Sequence, residues 1–575
     1  MKRFYITLLI GLFAFAAKAQ EVNLEDIKGQ LQKKLKSKPV RVSGGLGLNT
    51  VYEYNAGQGQ QNFQPFSYII SANVNFNVYG YNLPFTFAYS NKKFQYSNPS
   101  FKFNRFAFHP RYKKWTAHIG DVATTFSPYT LSGFQYRGAA VEYNPGNWQV
   151  QALYGRFMKA VPEDSLVTPS YKRMGGGAKV VYKNGSKKIG VNIFHASDNK
   201  TSIPAPRLTN NQAITPMAGT AVSFEGSYPL IKNLVLEAEY ATSALTRNLN
   251  YGTDSISQPI SFQQKIAGKA NVTTDVYHAY KAGLTYTFLQ SSVGLNYERV
   301  DPLYQTLGGY FFTNDFENMT LSFAQSLWKN KASIAFNGGL QKDDLKHTKE
   351  SNMKRVVMGV NINMRPTDKM NIGLTYSNFQ SYTFLRTGFE KINQVTPYDN
   401  LDTLNFTQLS QNAGANINYI LEQNKDRLQN LMVTINYAET ANKKGDVIKT
   451  GDLTRFINGN INYNVSLLPK DMTVAAGFNY SLNYAAQMNS TTMGPTISVG
   501  KAFFKKMLRT NYGVAYNSAG STGRKNNVFN IRAGASTTLA KKHNLNVNAI
   551  WQKRTGTTTP PVTYTSITAG YSYSF

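Results

Sequence analysis

The chain has 575 residues and six histidines, at 109, 118, 195, 278, 347 and 543. Histidine is the side chain that can act as metal ligand or general base near neutral pH. None of the six stands at the short spacing by which two histidines share a metal on one element. His195 and Asp198 lie close together where a strand enters a loop, but no nucleophile motif accompanies them. His347, in Asp343-Asp344-Leu345-Lys346-His347, reads as part of a solvated charged loop. There are no cysteines, which removes thiolate metal sites, thiol catalysis and disulfides. No Ser/His/Asp constellation, phosphate loop or calcium loop is present. The sequence therefore predicts no catalytic, cofactor-binding or metal residues, and no enzyme. Its one distinctive polar pair is Asp121 and Arg137, in Gly120-Asp121 and Arg137-Gly138 on consecutive strands, expected to bond inside a lumen.

The elements that would hold such residues repeat with a period of two. Ile457, Gly459, Ile461, Tyr463 and Val465 alternate with Asn458, Asn460, Asn462 and Asn464; Val474, Ala476, Phe478 and Tyr480 alternate with Thr473, Gly477 and Asn479. Val356 to Met364 and Ala72 to Val78 do the same. Helical spacing is absent from these stretches. An unbroken succession of strands with one apolar and one polar face predicts a single closed antiparallel transmembrane β-barrel over 41–575. Composition agrees: 13% of residues are aromatic and 16% charged, with a mean hydropathy of −0.37. Alternation gives a polar average while still covering a lipid-facing surface.

Short polar turns recur near His109–Lys114, Asn144–Asn147, Lys183–Lys187, Pro229–Asn233, Lys329–Lys331, Pro366–Lys369, Pro469–Asp471 and Lys541–His543, with longer Gly- and Asn-rich connections between them. Short turns belong to the periplasmic side of an outer-membrane barrel and long loops to the outside. A further turn near Gly80–Leu83 and a first strand at Arg41–Tyr54 bring the expectation to about 26 strands, within 24–28. Such a cylinder is roughly 50 Å across, so loops, flattening or another protein must fill it. No globular plug precedes the first strand, which argues against a receptor of the TonB-dependent kind.

The last strand alternates Ile567, Ala569, Tyr571, Tyr573 and Phe575 with Ser566, Thr568, Gly570, Ser572 and Ser574. It resembles the terminal strand of Gram-negative outer-membrane β-barrels, and that resemblance implies that Tyr571, Tyr573 and Phe575 are the signal read by the barrel assembly machinery. The Gly-Asp and Arg-Gly pair similarly resembles, over about 25 residues, a hairpin of fimbrial ushers and other large export barrels. Asp164-Ser165-Leu166, Asp254-Ser255-Ile256 and Asp402-Thr403-Leu404 look like O-glycosylation acceptors of some Gram-negative groups, at Ser165, Ser255 and Thr403.

At the other end, Lys2 and Arg3 precede the apolar run Phe4–Ala17, and Ala17-Lys18-Ala19 supplies a cleavage pattern: a signal peptide over 1–19. Over 20–40, Leu24, Ile27, Leu31 and Leu35 form one stripe of a short helix, periplasmic or plugging the barrel. The formal net charge is +31. With a secretory signal this points away from nucleic acid and towards lipid phosphates, including those of lipopolysaccharide, with a periplasmic or lumen-plugging protein as a further partner. The expected function is a multi-pass outer-membrane channel, or the barrel of an export system, with a periplasmic N-terminus. A loop-sealed structural or adhesive barrel is the alternative, and an outer-membrane hydrolase the third reading.

Overall fold

The computed structural model describes residues 40–56, 65–78, 81–91, 105–163, 169–206, 214–252, 264, 266–268, 270–309, 313–343, 345–346, 354–378, 408–444, 447–448, 453–485, 488–521, 523–557 and 560–575. The expected signal peptide, nearly all of the expected N-terminal helix, His347 and the residues Ser165, Ser255 and Thr403 lie outside these.

Each strand pairs antiparallel with the next, from Val40–Asn55 to Val562–Ser574, and the last returns to the first in register from Gly45↔Ser574 to Asn55↔Tyr564. Closure leaves no edge strand, so the paired ladder groups need no water. One strand is broken: Arg105–Phe108 and Arg111–Tyr112 lie in line between Tyr81–Ser90 and Trp115–Ala123, interrupted at His109-Pro110. Pro110 has no N–H to give the ladder, which explains the interruption. Val447–Ile448 pairs only with the end of Arg427–Lys444 and stands outside the wall. With the broken strand counted once, 26 strands make the barrel. The first begins at Val40, one residue before its expected start.

The seam is held at the terminus. Phe575 N donates to Gly44 O at 3.0 Å, and Gly44 N donates to Phe575 O at 3.1 Å. Gly44 has φ +144°, and a Cβ there would stand 2.1 Å from Asn73 O. Only glycine lets the first strand bend against its neighbour while accepting the carboxyl end.

The two faces separate as the alternation predicts. Outward stand Leu46, Leu48, Trp115, Ile119, Trp148, Tyr154, Ile189, Phe224, Tyr228, Leu295, Ile461, Tyr480, Tyr512 and Tyr571, all exposed. Exposed apolar side chains on strand after strand form a lipid-facing band. The chain is a membrane-type barrel. The expected short turns cluster at one end, several of them with non-glycine residues at positive φ: Trp328, Lys329 and Asn330 in one, Phe504, Lys505 and Lys506 in another. Among the described residues no helix is long and apolar enough to cross a membrane.

Candidate functional site: the loop-packed sector of the lumen

Among the described residues the barrel has one deeply packed region, and it is inside. Val122, Tyr136, Leu153, Phe157, Phe194, Leu245, Tyr277 and Val300 turn inward from the wall and are covered by Phe126, Tyr129, Leu131 and Phe134 of loop 124–134 and by Tyr304 and Leu307 of loop 301–309. Leu131 and Tyr304 are fully buried. Each large apolar side chain so covered contributes on the order of 1.5–3 kcal/mol to holding its loop down.

Hydrogen bonds join the loops to one another and to the wall. Tyr304 OH donates to Tyr129 O at 2.7 Å, and Thr306 Oγ1 to Thr130 O at 2.8 Å. Leu131 and Gly308 form a parallel bridge, with Ser132 N donating to Gly308 O at 3.0 Å. A Cβ at Gly308 would meet Thr130 O at 2.6 Å and the Phe194 ring at 2.9 Å, so the loops approach this closely only through glycine. From the wall, Lys179 Nζ donates to Phe126 O at 2.5 Å and Ser243 Oγ to Gln305 O at 2.7 Å. Tyr129 OH donates to Glu298 Oε1 at 2.5 Å. Burial first, and the Glu298 carboxylate second, push the Tyr129 phenol far above its ordinary range; burial does the same to Tyr304. Both remain neutral donors at any physiological pH.

Two sets of charges behind the loops are paired, whereas Glu239 beside them has a buried carboxylate oxygen without a hydrogen-bond partner. Glu225 lies 2.5 Å from Lys188 and 3.3 Å from Lys179. Arg173 grips Asp198 through Nε and Nη2 at 2.8 and 2.9 Å, and Met217 N donates to the same carboxylate at 3.0 Å. A buried carboxylate taking three donors is rigid and costly to disturb.

The opposite wall differs. In the six strands from Met370–Ser377 to Met488–Phe503, the inward positions whose side chains are described carry no charge and are mostly Asn, Ser, Thr, Gly and Ala. Asn430 Nδ2 donates to Asn418 Oδ1 at 3.0 Å, while Asn460 and Asn479 bond across strands and Asn462 bonds Asn460 along one. The surface is a neutral sheet of amides with both donors and acceptors.

Asp121 and Arg137 are brought together: they are direct cross-strand partners, with Arg137 Nε and Nη2 at 2.7 and 2.8 Å from the two carboxylate oxygens. The pair belongs to the wall itself, and Asp121, only 12% exposed, also borders the cavity lined by His109 and His118. Val122, Tyr136 and Ala140 take the inward face, so alternation turns Asp121 and Arg137 outward beside exposed Ile119 and Val141. The pair stands one position beyond Tyr154, which opposes Ala139 on the same face. His195 and Asp198 are not brought together; His195 Nδ1 bonds Thr220 Oγ1 at 2.8 Å on the outward side, whereas Asp198 faces inward to Arg173. Tyr571 and Tyr573 stand outward, stacked about His543, with Phe575 5.6 Å from Tyr573 between ring centres.

Sequence reasoning missed the inward loops and the ions behind them. A signal existed: Phe126-Ser127-Pro128-Tyr129 and Leu303-Tyr304 are aromatic segments in loops, where polar residues are the rule.

No protein-family model and no curated protein sequence matches the chain. Among solved structures it is similar to the P pilus usher (PapC) translocation pore, at 13% identity and TM-score 0.37, over 93% of this chain and 99% of that one. It is similar also to a chain of the E. coli P pilus tip assembly intermediate PapC-PapD-PapK-PapG, at 13% identity and TM-score 0.40, over 92% of this chain and 60% of that one. A third is Acinetobacter baumannii OccAB4, at 9% identity and TM-score 0.29, over 67% of this chain and 96% of that one. At such values these likenesses carry no weight for what passes through this barrel.

Proposed function

We propose that the protein is a non-enzymatic conduit of the bacterial outer membrane, a channel or the barrel of an export system, in which one side of the lumen is packed and the other is the path. The observation that supports this is the asymmetry of the interior. Loops 124–134 and 301–309 fill one sector, while six consecutive strands present neutral amides and hydroxyls. A neutral polar wall offers hydrogen bonds of either sense and no fixed charge, so polar cargo passes without being trapped. In this reading the short turns and the N-terminus face the periplasm, and the long loops face outward. Tyr571, Tyr573 and Phe575 serve the assembly machinery. Exposed guanidinium groups such as Arg137 meet lipopolysaccharide phosphates at the outer rim. A periplasmic protein partner would dock at the short-turn mouth.

Purified protein in planar bilayers tests the reading. The conduit gives discrete conductance steps with weak preference between small cations and anions. A barrel that stays silent at all voltages, and stays silent when loop 124–134 is shortened, is a sealed scaffold, the reading that the packed sector itself favours.

A further inference from the structure

His109 and His118 are far apart by the rules of metal-binding motifs, yet the hairpin that turns at Lys113-Lys114 sets them face to face on the lumen side. Their Nδ1 atoms are 2.7 Å apart and the ring planes cross at 67°. Two bare nitrogen lone pairs do not sit at that distance, so a proton or a metal ion belongs between them. The far nitrogen of His118 decides which of its nitrogens is bare. Nε2 is buried without a hydrogen-bond partner, and the Glu142 Oε1 atom stands 3.5 Å from it, close enough to act on it electrostatically. A carboxylate there favours the Nε2–H tautomer and leaves the Nδ1 lone pair pointing at His109. Glu142 is itself held by Gln151 Nε2, which donates to Oε1 at 3.2 Å. A carboxylate behind an imidazole is the arrangement that orients histidine ligands in metal sites. The pair opens on a cavity of about 360 Å³ lined also by Thr86, Thr124 and Thr125, with room for water to complete a coordination shell.

We propose that His109 and His118 form a two-nitrogen chelate for a late first-row divalent cation, with Glu142 as the positioning residue behind His118. Ligand chemistry narrows the ion. Imidazole suits copper, nickel and zinc, whereas calcium and magnesium require oxygen ligands. Arg105 lines the same cavity together with Asp121 and Glu142, so ligand type rather than local charge selects the ion. At metal–nitrogen distances of about 2.0–2.1 Å, the 2.7 Å separation subtends roughly 80°, the angle of adjacent positions in a square or octahedral shell rather than a tetrahedral one. That geometry and the general order of affinities favour Cu²⁺ first and Ni²⁺ second. Among the described residues no group of three or more His, Asp or Glu side chains is placed to share a metal, so the proposed chelate rests on the two imidazoles. The site does not depend on the conduit reading.

Chelator-washed full-length protein in detergent, titrated with Cu²⁺ and followed by electron paramagnetic resonance, tests the proposal. One equivalent should bind with hyperfine splitting from two nitrogens. His109→Gln and His118→Gln should each abolish that signal, and Glu142→Gln should weaken affinity about tenfold or more while keeping the two-nitrogen signature. His195→Gln, whose ring is bonded to Thr220 on the other face, should leave it unchanged. Heat-modifiable migration establishes that each variant is a closed barrel; should a glutamine variant fail to close, histidine modification by diethyl pyrocarbonate on the wild type, with and without Cu²⁺, reads protection at His109 and His118 directly. A two-nitrogen signal that persists in the double glutamine variant, or no saturable Cu²⁺ binding by the wild type, overturns the site.

Discussion

Two sectors of this barrel solve the same problem, a wide ring of strands around a polar interior, in different ways. Between Ala107 and Leu307 aromatics from two loops pack on the inner face, and underneath them Arg173–Asp198 and Lys179–Glu225 are paired and largely buried. Between Met370 and Phe503 the inner face carries amides and hydroxyls bonded to one another along the wall. The outward faces of the two sectors are alike, because lipid makes one demand everywhere. The difference lies wholly inside. A barrel wall is stabilised by its ladder and needs no core, so packing in one sector is an addition that selects where the lumen is filled.

The sharpest way to break the contrast is to unpack the covered sector. Tyr129→Ala with Tyr304→Ala removes two buried aromatics and the hydrogen bonds that each OH makes. Each truncation should cost about 3–5 kcal/mol locally. Since the ladder is untouched, the barrel should still close and still migrate as heat-modifiable. Its single-channel conductance should rise several-fold, and unchanged conductance would mean that the loops do not bound the path.

Next in size is Asp198→Asn, which leaves Arg173 buried without its carboxylate; side-chain exposure is 13% for Arg173 and 3% for Asp198. Breaking such a pair costs about 3–5 kcal/mol. The expected result is a clear fall in the unfolding temperature of the detergent-solubilised barrel, with a smaller fall for Arg173→Met with Asp198→Leu, which removes both charges.

On the bare wall, Asn460→Asp with Asn462→Asp removes two amide donors and should cost about 1 kcal/mol per site while leaving the barrel closed. It should shift the reversal potential towards cation selectivity, because charge appears on a wall whose described inward positions carry none. A selectivity shift of equal size from the same change on the packed sector would erase the distinction. The smallest effect belongs to Arg137→Ala. Arg137 is 54% exposed beside Asp121, so losing the pair should cost about 0–1 kcal/mol in thermal unfolding.

Much of this was legible in the residues. The alternation of Ile457 to Val465 with four asparagines has one reading as a strand between lipid and water, and its repetition, together with the spacing of short turns, leads to closure near 26 strands. Gly44 shows where legibility ended: its sequence neighbours give no sign that it must receive Phe575 across the seam, a contact spanning the whole chain. The pairing of Asp121 with Arg137 was likewise readable, but not the side of the wall on which it falls. A shift of one residue moves a side chain from lumen to lipid, and only the burial of Val122 and Tyr136 decides that parity.

What the sequence determined by itself is therefore local and periodic: strands, turns, the apolar outer face and the absence of thiol chemistry, all consequences of the two-residue repeat and composition. The tertiary structure alone decided which loops fold inward, which ions lie behind them, and that His109 meets His118 while His195 does not meet Asp198. Those outcomes depend on register, broken-strand geometry and contacts between segments more than a hundred residues apart, such as Thr130 with Thr306. Nearest-neighbour patterns do not encode such distances, because the energy that settles them is released only when the closed wall brings the segments together.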